Sequence, residues 1–307
     1  MHSLRFAFAI SLSLIVLIPV GASAESGMAA RVAQLEAQVA ALEELLQFVR
    51  VDAAVINGLA GPHWIFEGVN VHVRSGTGST HGPCSDDPDC ARRRGLGNLI
   101  VGYNEGIPSH ARLRRGTHNL VVGGEHQYIQ SGGFVAGHQN ALWGQSASVT
   151  GGQRNLAIGE RTSICGGKLN FASGTNSSIG GGLENGASGD FSFVSGGTGN
   201  VASGESSVVG GGFKNEASGL NASVSGGGHN DASGTNASVG GGAKNEASGR
   251  SASVSGGGGN FASALLSAIS GGRNNAADAL AASVSGGLGR DAPDQDNWAA
   301  GSLLEPN

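Results

Sequence analysis

A valine or isoleucine recurs at every fifteenth residue, and this spacing constrains the fold more than any other feature. The frame around each anchor also returns, as in ASVSGGGHNDASGTN, where glycines follow the anchor at two and three positions, asparagine at six and alanine at eight. A repeat of constant short length indicates a solenoid, in which each coil contacts only its neighbours. The anchors are Val149, Ile164, Ile179, Val194, Val209, Val224, Val239, Val254, Ile269 and Val284.

Composition agrees with stacked thin layers rather than a globular core. The chain has 56 glycines among 307 residues, and only 5% of its residues are aromatic. Because aromatic and leucine side chains normally supply most buried area, the available core consists of Val, Ile and Ala. The net charge of −5 offers no basic surface for nucleic acid, which is therefore excluded as a partner.

Fifteen residues suffice for two short strands and two tight corners, with coils stacked about 4.8 Å apart. We therefore predict an all-β fold, a parallel β-roll or β-solenoid with 15-residue coils. Eleven coils, including one at Phe134, would form a rod of roughly 50 Å. Glycine pairs permit the corner dihedrals, and recurring asparagines are expected to bond across coils. These asparagines are Asn155, Asn170, Asn185, Asn200, Asn215, Asn230, Asn245 and Asn260.

The N-terminus predicts export. His2 and Arg5 precede an apolar run from Phe6 to Val20, and the following Ala-Ser-Ala ends at Ala24. This arrangement is typical of a secretory signal peptide over residues 1–24. An uncleaved membrane anchor is the alternative, although the run is short for a span.

Residues 25–57 carry a heptad pattern that predicts a short coiled-coil helix before the solenoid. Added apolar residues, Leu45 and Phe48, widen the stripe and favour three strands over two. The alternative is an amphipathic helix that packs on its own chain. The predicted trimer contacts are Val32, Leu35, Val39, Leu42, Leu46, Val49, Ala53 and Ile56.

Residues 58–96 are expected to hold a transition strand, from Trp64 to Gly76, and a loop containing Cys84 and Cys90. Two cysteines in one loop of an exported chain predict a local disulfide. A metal site is the alternative because Asp86, Asp87 and Asp89 lie nearby, although their spacing matches no calcium loop. Cys165 occupies a position otherwise filled by Ser, Gly or Thr, which predicts a buried small residue.

The boundaries of the repeat region follow from its spacing. Residues 97–144 contain irregular coils with inserts, residues 145–292 the regular repeats, and residues 293–307 a tail in which Trp298, Leu303 and Leu304 are expected to form a cap. The inserts bring arginines close in sequence. These could bind an anionic glycan or phospholipid surface, or form a solvated basic face. The arginines are Arg92, Arg93, Arg94, Arg112, Arg114 and Arg115.

The frame SVSGG-x-x-N-x-ASG, with the heptad segment and signal peptide, resembles the YadA-like head repeats of trimeric autotransporter adhesins. The resemblance covers about Gly97 to Ala292. It implies a left-handed parallel β-roll, a homotrimer joined through the coil and the flanks of the rolls, and a rod-like head that binds matrix proteins or surfaces. In that family the head precedes the stalk and a membrane barrel, whereas here the heptad segment comes first and no barrel is predicted after the repeats.

The sequence therefore predicts a fibre-like adhesin head, secreted or on the bacterial cell surface, that attaches to an extracellular protein, glycan or abiotic surface by many weak contacts. Phe171, Phe213 and Phe261 are candidate contacts, or are buried between chains. A protective coat or matrix protein is the alternative. Ice binding would require a regular row of threonines, which this sequence does not have. An enzyme is not expected, since no catalytic spacing occurs, and no cofactor or metal ligands are predicted.

Overall fold

The computed structural model describes residues 24–75, 95–105 and 113–300, and the chain divides into two compact units between His72 and Val73. The unit beginning at Val73 is a parallel β-solenoid, and the first unit contains the helix found among the described residues. The predicted fold class, a β-solenoid with 15-residue coils that is preceded by a short helix, is confirmed.

The N-terminal unit consists of helix α1 (Ala24–Leu46) and a hairpin of β1 (Val49–Asp52) with β2 (His63–Phe66). The two strands are antiparallel, with Val49 opposite Phe66 and Asp52 opposite His63. Five predicted seam residues lie on α1, and all are exposed in the single chain. They are Val32, Leu35, Val39, Leu42 and Leu46.

The expectation that the helix continues to residue 57 is wrong. Val49 pairs with Phe66 in β1, Ala53 follows that strand, and Ile56 forms an isolated antiparallel bridge with Leu59. The segment VRVD alternates apolar and polar residues, and its β-branched valines suit a strand that has a partner in HWIF. The heptad pattern alone could not reveal that partner.

Two parallel sheets form opposite walls of the solenoid. The anchor sheet contains the repeated Val and Ile residues, and the alanine sheet contains the repeated alanines. The strands of the anchor sheet are β3 (Leu99–Val101), β4 (Leu120–Gly124), β6 (Phe134–His138), β8 (Ser148–Val149), β10 (Ser163–Ile164), β12 (Ser178–Ile179), β14 (Phe193–Val194), β16 (Val208–Val209), β18 (Ser223–Val224), β20 (Ser238–Val239), β22 (Ser253–Val254), β24 (Ala268–Ile269), β26 (Ser283–Val284) and β28 (Trp298–Ala299).

The alanine sheet begins one coil later. Its strands are β5 (Gln127–Tyr128), β7 (Ala141–Leu142), β9 (Leu156–Ala157), β11 (Phe171–Ala172), β13 (Gly186–Ala187), β15 (Val201–Ala202), β17 (Glu216–Ala217), β19 (Asp231–Ala232), β21 (Glu246–Ala247), β23 (Phe261–Ala262), β25 (Ala276–Ala277) and β27 (Asp291–Ala292).

The register follows the repeat. Val224 pairs with Val239, 15 residues on, whereas Ile100 pairs with Val121 across an insert. The side chains of Val224 and Ala232 are both fully buried, like their equivalents in the regular coils. The core is therefore one layer of Val or Ile packed against Ala, and its uniform thickness keeps successive coils in register.

The two corner glycines have different physical roles. Gly227 has φ 87°, and a Cβ there would also overlap the carbonyl oxygen of Gly242. Gly234, at the other corner, does not have positive φ, but a Cβ would overlap the carbonyl oxygen of Gly249 in the next coil. One glycine is required by backbone conformation as well as space, and the other by the close approach of coils.

Residues 293–299 differ from the expected cap. Trp298 and Ala299 form β28, in register with Ser283 and Val284, so the coil frame continues beyond Ala292. Ala299 takes the anchor position, which a small apolar side chain can occupy at the end of the stack. Leu303 and Leu304 lie outside the described residues, so their role in a cap stays a prediction.

Candidate functional site

The asparagine ladder organises the surface as well as the core. From Asn140 to Asn260, each ladder asparagine Oδ1 accepts the backbone N–H of the next ladder asparagine, at 2.8–3.1 Å. In the last coil, Asn275 Oδ1 accepts the backbone N–H of Arg290. Its Nδ2 donates to two glycine carbonyls, as Asn230 does to Gly226 and Gly242. These side chains are buried, so they support the coils and are not available to a ligand.

The ladder extends beyond the asparagines expected from the regular repeat, and a histidine takes one position in it. His126 is fully buried; its Nδ1 accepts the backbone N–H of Asn140, and its Nε2 donates to the carbonyl of Val122. Burial lowers the pKa of His126, which agrees with a neutral ring that donates on one side and accepts on the other. His126 is therefore a structural substitute for asparagine.

Two outward-facing columns flank the ladder, and their residues are exposed or partly exposed. We call the residues immediately before each ladder residue the pre-ladder column, and those immediately after it the post-ladder column. Pre-ladder residues have left-handed backbone dihedrals, for example Lys214 (φ 52°), His229 (φ 57°) and Lys244 (φ 57°). Post-ladder residues begin the strands of the alanine sheet and point away from the core. Both columns carry chemically varied side chains, which include charged, aromatic and aliphatic residues.

The three candidate phenylalanines do not form one site. Phe171 and Phe261 are both in the post-ladder column but six coils apart, whereas Phe213 lies on a third ladder of isolated bridges. Their side chains are 39%, 46% and 46% exposed, respectively. Phe213 contacts the ring of His229 edge-on, with centroids 5.2 Å apart, and Lys214 Nζ lies 5.2 Å from its ring centroid. Each phenylalanine is therefore a separate partly exposed contact point.

The arginine cluster is only partly within the described residues. Arg114 is occupied by its own chain, because its Nε donates to the carbonyl of His126 and its Nη2 to that of Glu105. Arg115 is exposed. The other four, Arg92, Arg93, Arg94 and Arg112, lie outside the described residues, as do Cys84 and Cys90.

A polar chain runs along the first part of the pre-ladder column. Arg154 Nε donates to Gln139 Oε1 at 2.7 Å, and Gln139 Nε2 donates to Glu125 Oε2 at 2.6 Å. The bond from Gln139 holds the pKa of Glu125 below its usual value, with a further contribution from His138. Tyr103 precedes Glu125 in this column and is 92% exposed. This exposed tyrosine was missed from the sequence, since its coil lies outside the regular repeat.

Three carboxylates occupy consecutive positions of the post-ladder column. Glu216 pairs in register with Asp231, and Asp231 with Glu246. Desolvation, followed by the charges of Glu216 and Glu246, raises the pKa of Asp231 to about 6. The sequence pattern did not single out these three residues, although aligning the 15-residue repeats places them in one column.

Other exposed apolar residues were also missed. Phe191 and Leu266 lie at the second corner, where both have positive φ. Trp298, expected in a cap, is exposed on the outer face of the anchor sheet. Within the described ranges, no group of three or more His, Cys, Asp or Glu side chains is placed to hold a metal ion.

The expected burial of Cys165 is wrong, because this thiol is exposed. Cys165 directly follows the buried anchor Ile164, so strand alternation turns its side chain outward. Its neighbour in the preceding coil, Thr150, donates its hydroxyl to the backbone carbonyl of Cys165 at 2.8 Å. This column of small residues therefore belongs to the outer surface rather than to the core.

The fold and surface define the class of this chain as a repeat protein of the parallel β-solenoid type, whose varied side chains lie in outward columns. No protein-family model matches the chain, and no curated protein matches it. Over residues 24–75, 95–105 and 113–300, no helix is long and apolar enough to cross a bilayer.

Proposed function

We propose that this protein is a secreted or surface-associated fibre-like adhesin head that assembles as a homotrimer and attaches through many weak contacts. The main support for this proposal is that the buried positions and the outward-facing positions of each coil are distinct. The anchor, alanine and ladder positions are buried and serve the fold, whereas the flanking columns repeat outward along the rod. Repeated weak contacts on one rigid body give avidity without a deep pocket.

The apolar face of α1 supports assembly. Leu35, Val39 and Leu42 are spaced as in a heptad and are all exposed in the single chain. Burying a leucine side chain stabilises by about 1.5–3 kcal/mol, so a continuous stripe of this kind favours helix association in water. Three chains would hold three rods together and triple the number of contacts.

Sedimentation tests the assembly. Leu42→Glu should lower the association constant of the helices by roughly 100-fold or more, because it replaces buried apolar area with a charge. Ala41→Glu is the matched control, since it adds the same charge at a heptad position away from the seam. We expect the wild type and the control to sediment as trimers at micromolar concentration. A monomeric wild type would refute trimeric assembly.

Attachment is tested with beads coated at equal density. Wild-type protein should hold beads to matrix proteins, glycans or an abiotic surface under flow, and the Leu42→Glu variant should release them much sooner because it has lost multivalency. A trimeric wild type that holds no beads to any of these would favour the alternative, a coat or matrix solenoid without a specific ligand. Fractionation of the source cells tests localisation, with the protein expected in the medium or on the envelope.

A further inference from the structure

The acidic stretch of the post-ladder column consists of three carboxylates that have no ion-pair partner among the described residues of the single chain. Glu216, Asp231 and Glu246 stack on adjacent parallel strands, which lie about 4.8 Å apart. Like charges directly opposite in a sheet destabilise it. Among the residues that the structure describes, no Lys, Arg or His forms an ion pair with these carboxylates. Moreover, Asp231 Oδ1 is buried without a hydrogen-bond partner.

The pre-ladder column carries the opposite charge on the same three coils. Lys214, His229 and Lys244 stand two residues before Glu216, Asp231 and Glu246, respectively, and are exposed. Their backbones are left-handed, a conformation that costs roughly 1–2 kcal/mol for a residue with a Cβ. Glycine occupies the same column at Gly199 and Gly259. Side chains kept at strained positions suggest a use for the side chains themselves.

We propose that the basic pre-ladder stretch of one copy of this chain binds the acidic post-ladder stretch of a second copy, with the two solenoids parallel and in register. This inference rests on the proposed homotrimer and identifies one of its side contacts. The spacing of the basic residues along the solenoid matches that of the acidic residues, because each coil contributes one residue to each column. Lys214, His229 and Lys244 of one copy would meet Glu216, Asp231 and Glu246 of the next.

The arrangement of the columns fixes the orientation of the copies. A rotation axis parallel to the solenoid brings the pre-ladder column of each copy against the post-ladder column of its neighbour. An antiparallel pair related by a perpendicular two-fold axis would instead oppose Lys with Lys and Glu with Glu. A shift of one coil would place Lys244 against Phe261 and leave Glu216 opposite Gly199.

In the coils on either side of the charged stretch, the sizes of the side chains in the two columns are complementary as well. In the coil where the post-ladder residue is Phe261, the pre-ladder residue is Gly259, and Val201 is likewise matched with Gly199. A large side chain from one copy would therefore meet a glycine of the other. The charged stretch lies between these two coils, one on each side, and their large-with-small matching supports the same register.

Mixed assembly provides the test. A swapped variant carries K214E, H229E and K244E together with E216K, D231K and E246K. It retains complementary columns within itself but opposes like charges when it meets wild type. Isotope-labelled wild type and swapped chains are unfolded, mixed in equal amounts, refolded and analysed by native mass spectrometry. We expect mixed trimers to be depleted about tenfold or more relative to the random distribution, because each contains two repulsive interfaces.

Two controls define the baseline. Labelled and unlabelled wild type should mix at random, and so should wild type with the E205R/R250E variant, which exchanges two exposed charges outside the columns. Should circular dichroism show that the six-residue variant does not fold, the K244E/E246K variant takes its place, with a smaller depletion expected. Both versions should become less selective at high salt, since exposed charge pairs are screened.

The outcomes separate this inference from the proposed function. Depleted mixed trimers with random controls support the charge match between copies. Random mixing of wild-type and swapped chains within trimers would overturn it while leaving the trimer intact, because it would mean that the charges pair within each chain or with solvent. A monomeric wild type in the same spectrum would overturn both.

Discussion

Replacing Asn230 with alanine is the most direct test of how the solenoid is held together. Asn230 Oδ1 accepts the backbone N–H of Asn245 at 3.0 Å, and its Nδ2 donates to the carbonyls of Gly226 and Gly242 at 2.8 and 3.0 Å. The side chain is 1% exposed. The substitution therefore removes three hydrogen bonds from a site that water does not readily enter.

The three lost bonds do not cost equally. The carbonyl of Gly242 keeps a second partner, the backbone N–H of Gly228, whereas the N–H of Asn245 loses the one bond that the structure gives it. Each buried backbone group left unpaired costs about 1–3 kcal/mol. With the Asn245 N–H orphaned and the Gly226 carbonyl weakened, we expect Asn230→Ala to lower the free energy of unfolding by about 3 kcal/mol.

Denaturant unfolding measures the loss, and hydrogen exchange locates it. Because each coil contacts only its neighbours, the damage should concentrate in the coils on either side, and the amide of Asn245 should lose its protection first. Asn221→Ser is the matched control, since serine already occupies the equivalent left-handed position at Ser206 and Ser251. That exposed change should cost less than about 0.5 kcal/mol. Equal losses in the two variants would refute the ladder as a main source of stability.

Three further changes probe the other parts of the coil. For Asp231, the folded pKa is raised to about 6 from an ordinary 3.8, so folding is penalised above pH 6 and the penalty disappears as the pH falls toward 4. Wild type should therefore gain about 1 kcal/mol relative to Asp231→Asn between pH 7 and 4, after allowance for solvent screening of this half-buried group. Gly234→Ala should cost roughly 3 kcal/mol or more, because its methyl would overlap the carbonyl oxygen of Gly249. Ser192→Ala should stabilise the chain by about 1 kcal/mol, since the Ser192 hydroxyl is buried without a partner.

Each of these changes has its own check. For Asp231, the measurement is thermal unfolding at a series of pH values. The prediction would be contradicted if the stability of Asp231→Asn and that of wild type changed in parallel with pH. In trimers, pairing of the carboxylates with Lys214, His229 and Lys244 of the next copy should oppose the gain at low pH, so monomeric Leu42→Glu is the suitable background. For the glycine, Gly256→Ala is the control because no atom lies within 4 Å of its added methyl; equal losses would contradict the steric argument. A destabilised Ser192→Ala would show that the hydroxyl finds a partner in solution.

The coil length, the strand register and the buried positions could be predicted because every coil of the repeat makes the same contacts with the next coil. Val224 contacts Val239 as any anchor contacts the next, so a spacing of 15 residues gives the coil length and the pairing register together. The burial of the anchors and alanines follows from the same alternation. The coil that contains Tyr103 was harder to interpret because inserts interrupt the spacing, and its exposed ring escaped notice.

The repeat spacing is enough to predict the solenoid class, the coil length, the identity of the core and the asparagine ladder, since a period shorter than any domain leaves few ways to bury Val and Ala. The end of α1, in contrast, depends on a long-range contact, because Val49 leaves the heptad pattern to pair with Phe66 of a second strand. The place of His126 in the ladder likewise emerges only in the folded chain, where its two ring nitrogens make the bonds of an asparagine. The pre-ladder and post-ladder columns flank a buried ladder for two different reasons. The post-ladder residue alternates with the buried asparagine and alanine along the strand, whereas the pre-ladder residue lies at a left-handed corner.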